Sequence, residues 1–161
     1  MKTDPDLRII EMGLELPPPP KPGGIYKPVL IAGNFLYVSG QGPLRADGSL
    51  ITGRLGLNMN TDDGKLAARQ TGLTMLSTIK IYFGELKRIK RLIRTFGMVN
   101  STPDFNQHPA VINGFSELMA EVFGEDNGIG TRSAVGMMLP SGIAVEVEAV
   151  FEINTDRDGT A

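Results

Sequence analysis

Two charged side chains in the last third of the chain, Arg132 and Glu146, carry the chemistry most readily read from the sequence. A guanidinium grips a carboxylate through two parallel charged hydrogen bonds, and a glutamate can position a water or move a proton. Residues 143–153 alternate strictly: Ile143, Val145, Val147, Ala149, Phe151 and Ile153 face one way, and Ala144, Glu146, Glu148, Val150 and Glu152 the other. Read as a hairpin with residues 131–139 through Pro140-Ser141-Gly142, this strand places Arg132, Ala134 and Gly136 on the face of Glu146. The small side chains between the two charges leave room for a ligand. In that register Arg132 lies opposite Val150 and Glu146 opposite Gly136, about 13 Å apart along the strands. One small ligand then touches both only if Arg132 comes from one subunit and Glu146 from a neighbour. The plain alternative is a solvated strand face, the usual meaning of alternating glutamates.

Other chemistry-bearing residues have simpler readings. Lys87, Arg88, Lys90, Arg91 and Arg94 form a basic cluster that could draw RNA, or could be a solvated strand edge that discourages aggregation. His108, the one histidine, precedes Pro109 at an expected helix start and reads as a capping or loop residue. Asp47-Gly48 and Asp62-Asp63-Gly64 lack the spaced oxygen ligands of a calcium loop and read as turn and cap. Gly40-Gln41-Gly42 lacks the lysine and helix of a phosphate loop. Nothing in the sequence calls for a metal or a cofactor.

The elements that must hold these residues are short and well punctuated. Strands are expected over residues 29–32 and 35–39, with Gly33-Asn34 as a tight turn between them. A helix follows over residues 62–83, with Leu66, Leu73, Leu76, Ile79 or Lys80, and Phe83 in its stripe, Thr61 or Asp62 as cap and Gly84 as stop. Residues 88–99 read as a central strand, with Leu92, Phe96 and Met98 on one face and Ile89, Ile93 and Val99 on the other. The second helix, over residues 109–123, carries a stripe of Ile112, Phe115, Leu118 or Met119, and Val122, with Asn113 off the stripe and Gly124 as stop.

Length and composition set the frame. With 161 residues and 41% hydrophobic content the chain has material for one core. Residues 1–24, with Pro17 to Pro20 and Gly23-Gly24, read as a leader laid over a domain of residues 25–154, and residues 155–161 as a flexible tail. The net charge of −2 gives no global field for phosphate backbones or anionic lipid. No Cys is present, which removes disulfides and thiolate chemistry, and no apolar run reaches the length of a membrane span. A cytoplasmic location is the expectation.

Three motifs in order carry a family resemblance: GNFLYVSGQGP from Gly33 to Pro43, VINGFSELMAEVFG from Val111 to Gly124, and RSAVGMMLPSGIAVEVEAVFEI from Arg132 to Ile153. Together they resemble the YjgF/RidA family, also known as endoribonuclease L-PSP or chorismate mutase-like proteins, over residues 26–153. The resemblance implies an α+β subunit with a mixed β-sheet and two helices packed on one face, assembling as a homotrimer with ligand clefts between subunits. RidA-like members hydrolyse reactive enamines and imines, such as 2-aminoacrylate, to 2-keto acids and ammonia without a cofactor. By motif, Arg132 would hold the substrate carboxylate and Glu146 would act at the reacting nitrogen or water. Tyr26 would close the cleft, Ser39 and Gly40 would line it, and Asn113 would orient neighbours. The same fold also implies two alternatives: a non-catalytic module that binds a 2-keto acid, and an endoribonuclease. Ala134 stands where RidA-like members have Cys, Ile25 where they have Pro, and the span from Arg132 to Pro140 is one residue short, which marks a divergent branch.

Overall fold

A computed structural model describes residues 4–154. The tail expected over residues 155–161 lies outside the described residues. A short helix α1 (Pro5–Glu11) precedes strands β1 (Val29–Ala32) and β2 (Phe35–Gln41). Helix α2 (Thr61–Tyr82), strand β3 (Ile89–Asn100), helix α3 (His108–Phe123), a single turn α4 (Glu125–Gly128), and strands β4 (Thr131–Met137) and β5 (Val145–Ile153) follow. The strands form one mixed sheet in the order β1-β2-β5-β3-β4, antiparallel except for the parallel pair β3 and β4.

That order overturns the expected hairpin. β4 and β5 are neighbours in sequence and not in space, because β3 lies between them and pairs with both. The β3-α3-β4 crossover requires parallel pairing and occupies one edge of β3, so the returning chain pairs on the other edge. Pro140–Gly142 forms a 3-10 turn in which Ser141 adopts φ +56°, and this turn carries the chain across to β5.

β5 keeps its alternation. Val145, Val147, Ala149, Phe151 and Ile153 are buried, and the glutamate face is open. β3 does not alternate simply. Its pairing with β5 shifts between Ile89 and Arg91 and again between Leu92 and Arg94, the signature of two bulges. Leu92 therefore pairs with buried Phe151, whereas Phe96 and Met98 pair with Glu148 and Glu146 on the open side. The expected grouping of Leu92 with Phe96 and Met98 fails at the second bulge.

Both long helices lie on the buried side. α3 follows its stripe: Ile112, Phe115, Leu118, Met119 and Val122 are fully buried, each contributing about 1.5–3 kcal/mol by area. α2 differs from expectation. Leu66 is 66% exposed, and much of the buried face consists of Ala67, Ala68, Thr71, Thr74, Ser77 and Thr78 alongside Met75, Leu76 and Ile79. The hydroxyls are satisfied, Thr71 within the helix by Ala67 O at 2.9 Å and Thr78 across to β2 by Gln41 Oε1 at 2.9 Å. Small residues let the helices close up: a Cβ on Gly114 would lie 2.0 Å from the Lys65 carbonyl oxygen. The N-cap of α2 is Asn60, one position ahead of the candidate Thr61 and two ahead of Asp62, in a reciprocal capping box with Asp63.

Candidate functional site

Arg132 and Glu146 sit on opposite sides of the sheet. Arg132 pairs with Thr95, which pairs with Ala149, and both partners are buried beneath the helices. Its side chain therefore lies on the helix side, at the free edge of β4. It donates to Ser116 Oγ at 3.1 Å and to the Pro109 carbonyl at 3.1 Å, both on α3. Glu146 pairs with Met98 between buried Val145 and Val147, on the uncovered side. Three positions along the strands and two strands across separate them by about 14 Å. Within one chain no small ligand touches both.

The other expected residues divide between these two places. Asn113 lies four positions after Pro109 and three before Ser116, on the strip of α3 against which Arg132 docks. Gly40 lies under Glu146: a Cβ there would be 3.0 Å from Glu146 Cδ. Ser39 donates its hydroxyl to the Lys27 carbonyl at 2.7 Å, and its amide to the Pro28 carbonyl at 3.0 Å, which fixes the chain just after Tyr26. Tyr26 is half-exposed, its phenol oxygen accepting from Gly23 N at 3.1 Å. Tyr26 and Gly40 share a cavity of about 170 Å³. One place thus holds Arg132 and Asn113, and the other holds Glu146, Gly40, Ser39 and Tyr26.

Electrostatics differ between the two. Among the described residues Arg132 has neutral acceptors and no carboxylate within ion-pair distance, whereas Lys65, Arg69, Lys87, Lys90 and Arg91 each have one. A guanidinium held by a carbonyl and a hydroxyl keeps its charge available to an anion. Burial pushes the Glu146 carboxyl above its ordinary pKa, and the Glu148 charge adds to the rise.

A hydrogen-bonded pair at the start of α3 was not among the sequence candidates. Ser101 Oγ and His108 Nε2 are 3.0 Å apart, with the imidazole edge-on to Phe105. Gly136 on β4 makes room, since a Cβ there would fall 2.8 Å from Ser101 Oγ and 2.9 Å from His108 Nε2. His108 begins α3 without a side-chain capping bond, so it is neither of the roles expected for it. The signal was the small-residue strip Ala134 and Gly136, which was assigned to the wrong neighbouring strand.

The basic cluster is largely engaged. Glu152 takes Lys90 at 2.7 Å and Arg91 at 3.3 Å, Lys87 pairs with Glu85 at 3.0 Å, and Arg88 lies 4.2 Å over the Phe83 ring. β4 pairs with β3 only from Arg94 onward, so Lys90 and Arg91 lie on a stretch of β3 that pairs with β5 alone and is an edge on its other side, as the edge reading expects. Asp47 is a turn residue, accepting from Ser49 N and Oγ at 2.9 and 2.7 Å. Among the described residues no group of three or more His, Asp or Glu side chains is arranged to hold a metal ion, and no helix is long and apolar enough to cross a membrane.

A mixed five-stranded sheet with two long helices on one face, and charged residues at its edge and on its open face, defines an α+β fold with a known family. The chain belongs to the family described as YjgF/chorismate mutase-like, putative endoribonuclease, whose profile matches residues 6–141. Protein TCP17 of Trypanosoma cruzi is 40% identical over 144 residues, covering 89% of this chain and 90% of that protein. Among solved structures, the protein Atu1372 of Agrobacterium tumefaciens, of unknown function, is 38% identical with a TM-score of 0.83, covering 93% of this chain and 94% of its own. A putative endoribonuclease from Shewanella oneidensis is 32% identical with a TM-score of 0.89, covering 94% of this chain and all of its own.

Proposed function

We propose that this chain works as a homotrimer whose intersubunit clefts bind small 2-imino and 2-keto acids and hydrolyse the imines. The observation that carries the reading is the partition of the site residues. Arg132 and Asn113 occupy one exposed place, and Glu146, Gly40, Ser39 and Tyr26 another, each incomplete alone. A neighbouring copy that laid its Glu146 region against the free edge of β4 would complete both.

The chemistry needs little more. Arg132 anchors the substrate carboxylate in exchange for its bonds to Ser116 and Pro109. The imine carbon is already electrophilic, so orientation, a water and a proton suffice. Glu146, with its raised pKa, keeps a protonated fraction that can be given to the nitrogen as water adds to carbon. The C–N bond then breaks, leaving the 2-keto acid and ammonia.

The family description also points to RNA cleavage. The cations that would draw RNA are largely ion-paired at Glu152 and Glu85, which leaves that reading with less support. The test is ammonia release in a coupled reaction that generates 2-aminoacrylate. Wild type should accelerate it, and Arg132→Ala or Glu146→Gln should lose about 10²-fold or more of the acceleration. No acceleration by wild type, or a monomer by sedimentation, would end the proposal.

A further inference from the structure

The turn that carries the Pro109 carbonyl has little of its own to hold it. α3 begins at His108 with no side-chain capping bond, and its first buried residues are Val111 and Ile112. Pro109 is exposed, and so is the bond from Thr61 Oγ1 to Gln107 Oε1 at 3.2 Å. An uncapped first turn frays unless something outside the helix pins it. The Ser101 Oγ and His108 Nε2 pair, 3.0 Å apart and partly buried, does so. A hydroxyl both donates and accepts, so this bond forms whichever tautomer the imidazole adopts.

Both partners are anchored in turn. The Ser101 carbonyl accepts from Arg54 Nε at 3.2 Å, and the backbone on either side is laddered to Leu55, whose amide donates to the Asn100 carbonyl at 2.8 Å and whose carbonyl accepts from Thr102 N at 2.9 Å. The imidazole is backed by the Phe105 ring. The pair also rests on the strand that carries Arg132. Gly136 follows Arg132 by four positions on an unbroken stretch of β4, and therefore lies on the same face. Its missing side chain is what lets the serine and the imidazole sit against that strand.

We infer that Ser101 and His108 are positioning residues for Arg132, which rests on the reading of that arginine as the carboxylate anchor. The pair locks the first turn of α3 against β4. That turn offers the Pro109 carbonyl to one end of the guanidinium, and Ser116, two turns further along the helix, takes the other end. The arginine thus stands in one place before a ligand arrives. Without the bond the Pro109 carbonyl drifts, and Arg132 keeps Ser116 alone. Its freed N–H groups bond water instead, so an incoming carboxylate still displaces partners and must also order the side chain. Affinity falls about two- to tenfold.

The NMR signal of the Arg132 Nε–H group in the full chain, assigned by its loss in Arg132→Ala, tests this without a ligand. In wild type it should stand apart from the signals of solvated arginines. Ser101→Ala and His108→Ala should each move it among them, and His108→Gln, which keeps a polar atom at about the same reach, should restore it. Ser101→Ala deletes a single oxygen, so the test does not depend on the site tolerating loss of the ring. Calorimetric titration with 2-oxobutyrate should show a matching loss of about two- to tenfold in both alanine variants and recovery in the glutamine variant. An Arg132 signal unmoved by both alanine substitutions would overturn the inference. Movement of the signal in the variants, with no keto acid bound by wild type, would uphold the positioning and overturn the carboxylate reading.

Discussion

Gly40 and Glu146 share one space: the position a Cβ would take on the glycine is 3.0 Å from the carboxyl carbon of the glutamate. Gly40→Ala would push aside the end of a flexible side chain rather than backbone, so stability should change by less than about 0.5 kcal/mol. The carboxylate, however, would be displaced by a few tenths of an ångström or turned away. Imine hydrolysis should fall about tenfold or more while urea midpoints hold, since small misplacements at a reacting centre are costly. Equal activity in the variant would separate Glu146 from the chemistry.

The raised pKa of Glu146 has a thermodynamic signature. Burial and the Glu148 charge disfavour its ionised form in the folded protein, so the folded state binds more protons than the unfolded chain between the ordinary and raised pKa. Stability therefore falls as pH rises through that window, and the loss is complete above the folded pKa. Glu146→Gln should be the more stable protein at pH 7, and the advantage should vanish below the ordinary glutamate range. Thermal unfolding of both proteins across pH 3 to 8 reads this directly. An advantage independent of pH would point to packing instead.

Close packing of α2 on α3 depends on Gly114. A methyl group there meets the Lys65 carbonyl at 2.0 Å, and backbone cannot move aside as a side-chain end can. Gly114→Ala should cost about 1–3 kcal/mol or more in urea unfolding, despite the better helix propensity of alanine. The salt bridges flanking the contact, Lys65 with Glu117 at 2.8 Å and Arg69 with Glu121 at 2.6 Å, are surface pairs and should each be worth under about 1 kcal/mol.

Local structure was legible because it is written locally. Gly33-Asn34 turns the first hairpin, Gly84 and Gly124 follow the two helices at φ +115° and +82°, and the odd residues of β5 are buried as its alternation requires. Pairing was not legible, because adjacency in sequence favours a hairpin and nothing near Pro140 announces that β3 will come between. The separation of Arg132 from Glu146 survived that error for a different reason. The hairpin put them on one face and far apart, whereas the sheet puts them on opposite faces. Ser101 and His108 escaped notice because the six residues of loop and turn between them bring them together across the end of β3, against a glycine on another strand.

The paired irregularities in β3 have a consequence for how this sequence can change. Each adds a residue that β5 does not match, and two such additions restore the original parity, so Ile89 and Val99 both point inward. Removing Ile93 alone would take out a residue that β5 does not match, leaving Leu92 opposite Phe151 and Arg94 opposite Val150, whereas removing a matched residue such as Thr95 would turn one side of the strand over. A single residue can therefore be lost at either kink without changing the facing of the others, while a single loss between matched residues reverses one side of the strand.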